Sequence, residues 1–258
     1  MYEKRAYSAE VMFGTMVSEL RNPNVSIMLA TAGLDFFIID MEHGTYNYTD
    51  MAALVSMARG VGIDPFVRIP EIRRETVLKP LDAGATTLVV PQIEGAQQVE
   101  EVLELALYPD RGRRGVALRR AHSFYRAASP VEYMRHANTN TIILPQIETL
   151  KGLENVEKIA AVPGVGGLFI GPFDLSVELG SPGELESTEL LSAYNKIIET
   201  SKKNGIPTAM QVFSSDMAYK MINYGVSICS VSSDVNIITD NAKKMVYGIK
   251  KQLNHHTE

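Results

Sequence analysis

The stretch LDFFIIDMEHGTYN (Leu34–Asn47) ties the fold to the chemistry. Its first half is nearly continuous in hydrophobicity, and it then stops abruptly at Asp40, Glu42 and His43. A strand with one wet face alternates apolar and polar residues, whereas an unbroken apolar run is covered on both faces, as in a parallel sheet. Seven more runs read the same way: Val11–Val17, Asp64–Ile69, Thr86–Ile93, Asn140–Glu148, Gly164–Gly171, Pro207–Phe213 and Gly225–Val231. Amphipathic stretches lie between them. Tyr48–Arg59 carries Met51, Leu54, Val55 and Ala58 on one face, with Thr49 or Asp50 as the expected N-cap. Val99–Ala106, Asn155–Ala161, Ser187–Asn204 and Met217–Tyr224 repeat the pattern, and Asp234–Leu253 is expected as the last helix. Alternating strands and helices build parallel βαβ units. Eight such units in 258 residues predict a single α/β domain, a closed (β/α)₈ TIM barrel over residues 1–258.

Composition narrows the function. A net charge of -5 disfavours a general nucleic-acid binder, and no apolar run approaches a membrane span. The only cysteine, Cys229, lies in an apolar run and reads as a buried small hydrophobe; with no apolar leader segment, a cytoplasmic location is expected. None of the eight runs holds a lysine, which speaks against a Schiff-base aldolase. Nucleotide-binding glycine fingerprints and a GxSxG elbow are absent, and FSSD and VSSDV lack the glycines of a barrel phosphate cup.

In such a barrel the active site lies where the strands end. There the sequence places Asp40, Glu42 and His43, then Arg68, Gln92 and Glu94, Gln146 and Glu148, Asp174, Gln211, and finally Ser232, Ser233 and Asp234. Glu148 and Asp174 follow neighbouring strands. Two carboxylates with open positions suit Mg²⁺ or Mn²⁺, although two loop acids capping helices would look the same. Gly171 and Pro172 make a tight turn whose N–H groups suit a carboxylate. His43 is the only strand-end histidine and a candidate base. Arg68, at a buried strand end, calls for an anion. Whether Asp82, in LDAGA, reaches His43 is not decided by pattern. The long Tyr108–Asn138 connection, with its arginines from Arg111 to Arg126, reads equally as a solvated basic loop or as a functional segment.

The motifs IIDMEHGTYN (Ile38–Asn47), FVRIP (Phe66–Pro70), LDAGATTLVVPQIE (Leu81–Glu94), YPDRGRRG (Tyr108–Gly115), PQIET (Pro145–Thr149) and GLFIGPFDLS (Gly167–Ser176) together resemble the HpcH/HpaI aldolase family. The likeness runs from about Phe13 to Leu253. It implies a phosphoenolpyruvate/pyruvate-type barrel and a class II, metal-dependent aldolase that reversibly cleaves a 4-hydroxy-2-oxo acid to pyruvate and an aldehyde. On this resemblance Glu148 and Asp174 are the metal ligands for Mg²⁺, Mn²⁺ or Co²⁺. His43 is the base, Asp82 raises its basicity, and Arg68 holds the enolate oxygen. Gln146, Gly171, Pro172, Phe173 and Asp174 contact the pyruvate moiety. Asp40 and Glu42 stand behind them or hold water. It also implies a hexamer built as a trimer of dimers, with the last helix exchanged between subunits, and a pocket that Tyr108–Gly115 helps to build. Phe173 stands where small residues are common, LRRAHSFYR departs from the family pattern, and Gln211 and Ser232 replace expected glycines. The rival readings are a lyase of CoA thioesters of the citrate lyase β type, served by the Arg111–Arg126 cluster, and a catalytically degenerate pyruvate-binding barrel.

Overall fold

The computed structural model describes residues 11–126 and 129–255; the N-terminal decapeptide, read above as lacking a leader, lies outside the described residues. In chain order the elements are β1 Met12–Val17, α1 Val25–Thr31, β2 Phe36–Asp40, α2 Tyr48–Val61, β3 Asp64–Arg68, α3 Arg74–Ala83, β4 Thr87–Val90 and α4 Ala96–Ala106. There follow α5 Pro130–Asn140, β5 Ile142–Ile147, α6 Leu150–Glu154, α7 Val156–Ala160, β6 Leu168–Ile170, α8 Pro172–Glu178, α9 Thr188–Lys203, β7 Thr208–Val212, α10 Ser215–Tyr224, β8 Ile228–Ser233 and α11 Asp234–His255. The strands pair in sequence order, all parallel, and β8 closes onto β1. The expected eight-stranded barrel is the observed one.

Alternation along each strand divides the core in two. Phe36, Ile38, Phe66, Val89, Ile142, Leu144, Phe169, Ala209 and Ile228 fill the barrel interior, where the rings of Phe36 and Phe66 stack with centroids 4.5 Å apart. Their sequence neighbours Phe37, Ile39, Val67, Leu88, Val90 and Ile143 face the helices. Both faces are dry, which is why the runs are apolar at successive positions.

Several boundaries moved for local reasons. β4 stops at Val90 because Pro91 has no N–H to donate to a ladder. β6 is short, starting only at Leu168, because the segment before it carries one extra residue: Val165 bridges Ile143 and Phe169 pairs with Gln146, so the ladder is broken across Gly166 and Gly167. The cap of α2 is Asn47, which accepts from the N–H groups of Thr49 and Asp50 while Asp50 answers the Asn47 N–H in a capping box. α2 ends at Gly62, whose φ of 82° suits glycine.

The Tyr108–Asn138 segment lies away from the strand ends. It follows α4 and so begins on the side of the barrel where strands start, away from the catalytic rim. α5 takes up its second half. One side chain closes the intervening loop: Asn138 accepts the Tyr108 N–H at 2.8 Å and donates back to the Tyr108 carbonyl at 3.3 Å. No helix among the described residues is long and apolar enough to cross a membrane.

Candidate active site

Strand parity decides which rim residues face inward. Asp40 is in phase with Phe36 and Ile38, Arg68 with Phe66, Gln146 with Ile142 and Leu144, and Gln211 with Ala209. Each extends an interior row by one step at the end where strands finish. Asp40 and Arg68 are also register partners across β2 and β3. Arg68 donates from Nε to Asp40 Oδ1 at 2.9 Å and from Nη2 to Asp40 Oδ2 at 2.7 Å, and its Nη1 lies 3.1 Å from Glu42 Oε2. Burial opposes the guanidinium charge, but Asp40, Glu42 and Glu148 outweigh it and hold Arg68 more firmly protonated than usual. Burial raises the Glu42 carboxyl above its ordinary range, with Arg68 and His43 working against that rise.

Glu148 is the most perturbed carboxylate here. It is 2% exposed, and burial pushes its pKa up to about 7, helped by the nearby charge of Asp174. Two donors work the other way. The Gln92 N–H reaches Oε1 at 2.7 Å, and the Gln146 amide donates to Oε2. To aim that N–H, Gln92 sits in the left-handed region at φ 55°, a strain of the kind that gathers at functional sites. Gln92 was legible as a rim residue, but nothing in the sequence marked its backbone as the part that acts. Gly171 matters through close approach: a Cβ there would lie 2.6 Å from Glu148 Oε2 and 2.9 Å from Gln146 Nε2. Asp174 follows in the first turn of α8, which Pro172 starts.

A cavity of about 280 Å³ opens over these groups. Its wall includes His43, Arg68, Gln146, Gly171, Pro172, Phe173 and Asp174, joined by Met16, Ser18, Phe169, Gln211, Phe213 and Ser233. His43 is anchored by its backbone N–H on Asp40 Oδ1 at 3.3 Å, while its side chain is 72% exposed with Nε2 4.0 Å from Glu42. Asp234, another rim acid, is instead a buried tether: it accepts the N–H groups of Ser18, Glu19 and Leu20 at 2.9–3.1 Å.

Two groups lie away from the rim within the chain. Asp82 does not meet His43 within a chain. It lies near the end of α3, at the opposite end of the barrel, where it accepts from Arg114 at 2.8 Å with His122 at 3.9 Å. The Arg111–Arg126 cluster belongs to that same region, and none of its residues lines the rim cavity. Burial and the Arg114 charge also keep the His122 pKa below its ordinary value. Cys229 is fully buried and its thiol is pushed up to about 11, which makes it an inert core residue.

The family model described as HpcH/HpaI aldolase/citrate lyase matches residues 15–240. The chain belongs to this family. It is a class II aldolase, a carbon–carbon lyase of the aldehyde-lyase type. A similar curated protein is the 5-keto-4-deoxy-D-glucarate aldolase of Klebsiella pneumoniae, 31% identical over 232 residues that cover 90% of each chain. Among solved structures, the HpcH/HpaI aldolase of Desulfitobacterium hafniense superposes with a TM-score of 0.90 at 31% identity, covering 93% of each chain. An HpcH/HpaI aldolase/citrate lyase family protein from Burkholderia cenocepacia gives 0.87 at 28%, covering 93% of this chain and 95% of the other.

Proposed function

We propose that the rim cavity cleaves a 4-hydroxy-2-oxo acid to pyruvate and an aldehyde, and runs the reverse addition, with a divalent cation held by Glu148 and Asp174. The observation that carries this reading is that His43, Arg68, Gln146 and Asp174 line one cavity while the buried carboxylate Glu148 stands directly behind its wall, accepting from the Gln146 amide and close enough to Asp174 to feel its charge. The donor set fits a hard cation. It is all oxygen, Glu148 is costly to ionise without a nearby positive charge, and Gln146 Oε1 is a buried acceptor with no hydrogen-bond partner. Two carboxylates that leave coordination positions open suit Mg²⁺ or Mn²⁺, with Co²⁺ as a further candidate. Among the described residues no group of three or more His, Cys, Asp or Glu is placed to hold a metal ion, so Glu148 and Asp174 would hold it with positions left for water and substrate oxygens.

When bound, the cation supplies Lewis-acid polarisation of the 2-oxo group. The chain's own residues do the rest. His43 accepts the C4 hydroxyl proton, and the electrons of the C3–C4 bond pass to the pyruvate half as the aldehyde leaves. Arg68 faces the negative charge that builds on the 2-oxo oxygen; Asp40 and Glu42 fix its plane in advance, so little reorganisation accompanies the reaction. The Gln146 side chain and the backbone of Phe173 and Asp174 hold the pyruvate end. Return of a proton to C3 gives pyruvate. The test is pyruvate release from a panel of 4-hydroxy-2-oxo acids with Mg²⁺, Mn²⁺ and Co²⁺ in turn. Full activity in EDTA refutes the metal role, and His43→Ala should lower the rate about 10²- to 10⁴-fold, the usual contribution of a general base.

The same reading extends to assembly and location. α11 presents Val235, Ile237, Ile238, Met245, Val246, Tyr247, Ile249 and Leu253 to solvent. An apolar surface of that length wants a partner. A hexamer, a trimer of dimers that exchange this helix, supplies one. A cytoplasmic setting fits the lone buried cysteine.

A further inference from the structure

We infer that the aldehyde handled at this site carries an uncharged, largely apolar chain, received by Phe173 and Phe213; this rests on the aldolase reading above. Phe173 on α8 and Phe213 just after β7 meet edge to face, with centroids 4.9 Å apart and planes at 76°. Both line the rim cavity, where Met16 adds a third apolar surface. Phe173 remains 50% exposed. A half-exposed ring braced by a second ring is a preformed apolar wall, and a hydrocarbon chain laid on it loses water on both sides of the contact.

The charges of the cavity point the same way. Only Arg68 and His43 among its lining residues can be cationic. Arg68 keeps Nε and Nη2 on Asp40 and Nη1 on Glu42, and the aldolase reading assigns what remains of its donors to the 2-oxo oxygen, at the pyruvate end. The proposed role of His43 is to receive a proton, which requires its neutral form. The uncharged polar side chains of the wall are Ser18, Gln146, Gln211 and Ser233, of which Gln211, on β7, stands two residues before Phe213. Its amide donates to the Ser232 carbonyl at 2.6 Å, which fixes its orientation and leaves Oε1 as a buried acceptor without a partner. An acceptor welcomes a hydroxyl and repels a carboxylate. A second carboxylate on the aldehyde would therefore be stripped of water with no free cation to receive it.

The reaction balances without an oxidant or reductant. Pyruvate gives up a C3 proton, C3 bonds to the aldehyde carbon, and the aldehyde oxygen takes a proton to become the 4-hydroxyl.

The test uses the whole protein with Mn²⁺. Deuterium exchange at pyruvate C3 is measured first. Aldol addition is then compared for propanal, butanal and benzaldehyde against glyoxylate and succinic semialdehyde. Binding of 2-oxohexanoate and of 2-oxoadipate, its carboxylated counterpart, is measured by calorimetry. The expected result is C3 exchange, kcat/KM rising about tenfold for an added methylene, and 2-oxohexanoate binding at least tenfold more tightly than 2-oxoadipate. Phe213→Ala, and Phe213→Leu should the first fold poorly, should lower the ratio of butanal to succinic semialdehyde turnover by about tenfold. Exchange combined with equal or better use of the carboxylated compounds overturns this inference and leaves the aldolase reading standing. Absence of exchange with every metal overturns both.

Discussion

Replacing Asp40 by asparagine isolates the ion pair that orients Arg68. Asp40 Oδ1 accepts the N–H groups of Glu42 and His43 at 3.1 and 3.3 Å, and asparagine keeps an oxygen there. What is lost is one charge and the Oδ2 acceptor that now takes Arg68 Nη2 at 2.7 Å. The two side chains are only 9% and 3% exposed, so the guanidinium cannot recover its hydration without leaving the rim. Breaking a buried pair from one side typically costs about 3–5 kcal/mol, against roughly 0–1 for an exposed pair. Glu42 remains 3.1 Å from Nη1 and places the expectation at the lower end, about 3 kcal/mol. Chemical unfolding of the metal-free protein reads this directly, with a fall in melting temperature of roughly 6–12 °C as a second measure. Removing the orphaned charge as well, in Asp40→Asn/Arg68→Met, should recover part of the loss. A cost below about 1 kcal/mol for Asp40→Asn, or no recovery in the double variant, would show that Arg68 is hydrated and is not held by this pair.

Other outcomes follow from the same geometry. A carboxyl whose folded pKa is raised favours its protonated form, so metal-free stability should fall as pH climbs from the ordinary 4.5 to about 7 at Glu148 and level off above, by on the order of 3 kcal/mol. Glu148→Gln should flatten that slope in urea titrations run from pH 4.5 to 8; identical profiles for the two proteins would move the burden elsewhere. Gly171→Ala forces a methyl toward Glu148 and Gln146, and should cost about 1–3 kcal/mol while weakening Mn²⁺ retention in a spin-resonance titration. Unchanged affinity would mean that β6 yields freely. Sedimentation should give six times the 28.4 kDa chain mass, and deletion of residues 235–258 should dissolve the assembly; a monomer before truncation contradicts the exchanged helix.

Much of the site was written in one dimension. Continuous apolar runs mean strands dry on both faces, and a step of two carries the inward row of Phe36 and Ile38 to Asp40, that of Phe66 to Arg68 and that of Leu144 to Gln146. The residues that leave such a row for chemistry are those that turn polar where the strand ends. That logic is local, and so the sequence alone determined the barrel and the inward-facing members of its rim. Tertiary structure decided whatever depends on the path of a loop or on a neighbour distant in sequence. It sent Asp82 to Arg114, some thirty positions along the chain and away from His43. It placed the arginine-rich segment on the side where strands begin, and it turned the Gln92 backbone left-handed so that its N–H meets Glu148. Hydrophobic periodicity is fixed by which face is wet, whereas an ion pair or a strained N–H is fixed by which groups the closed chain leaves without water.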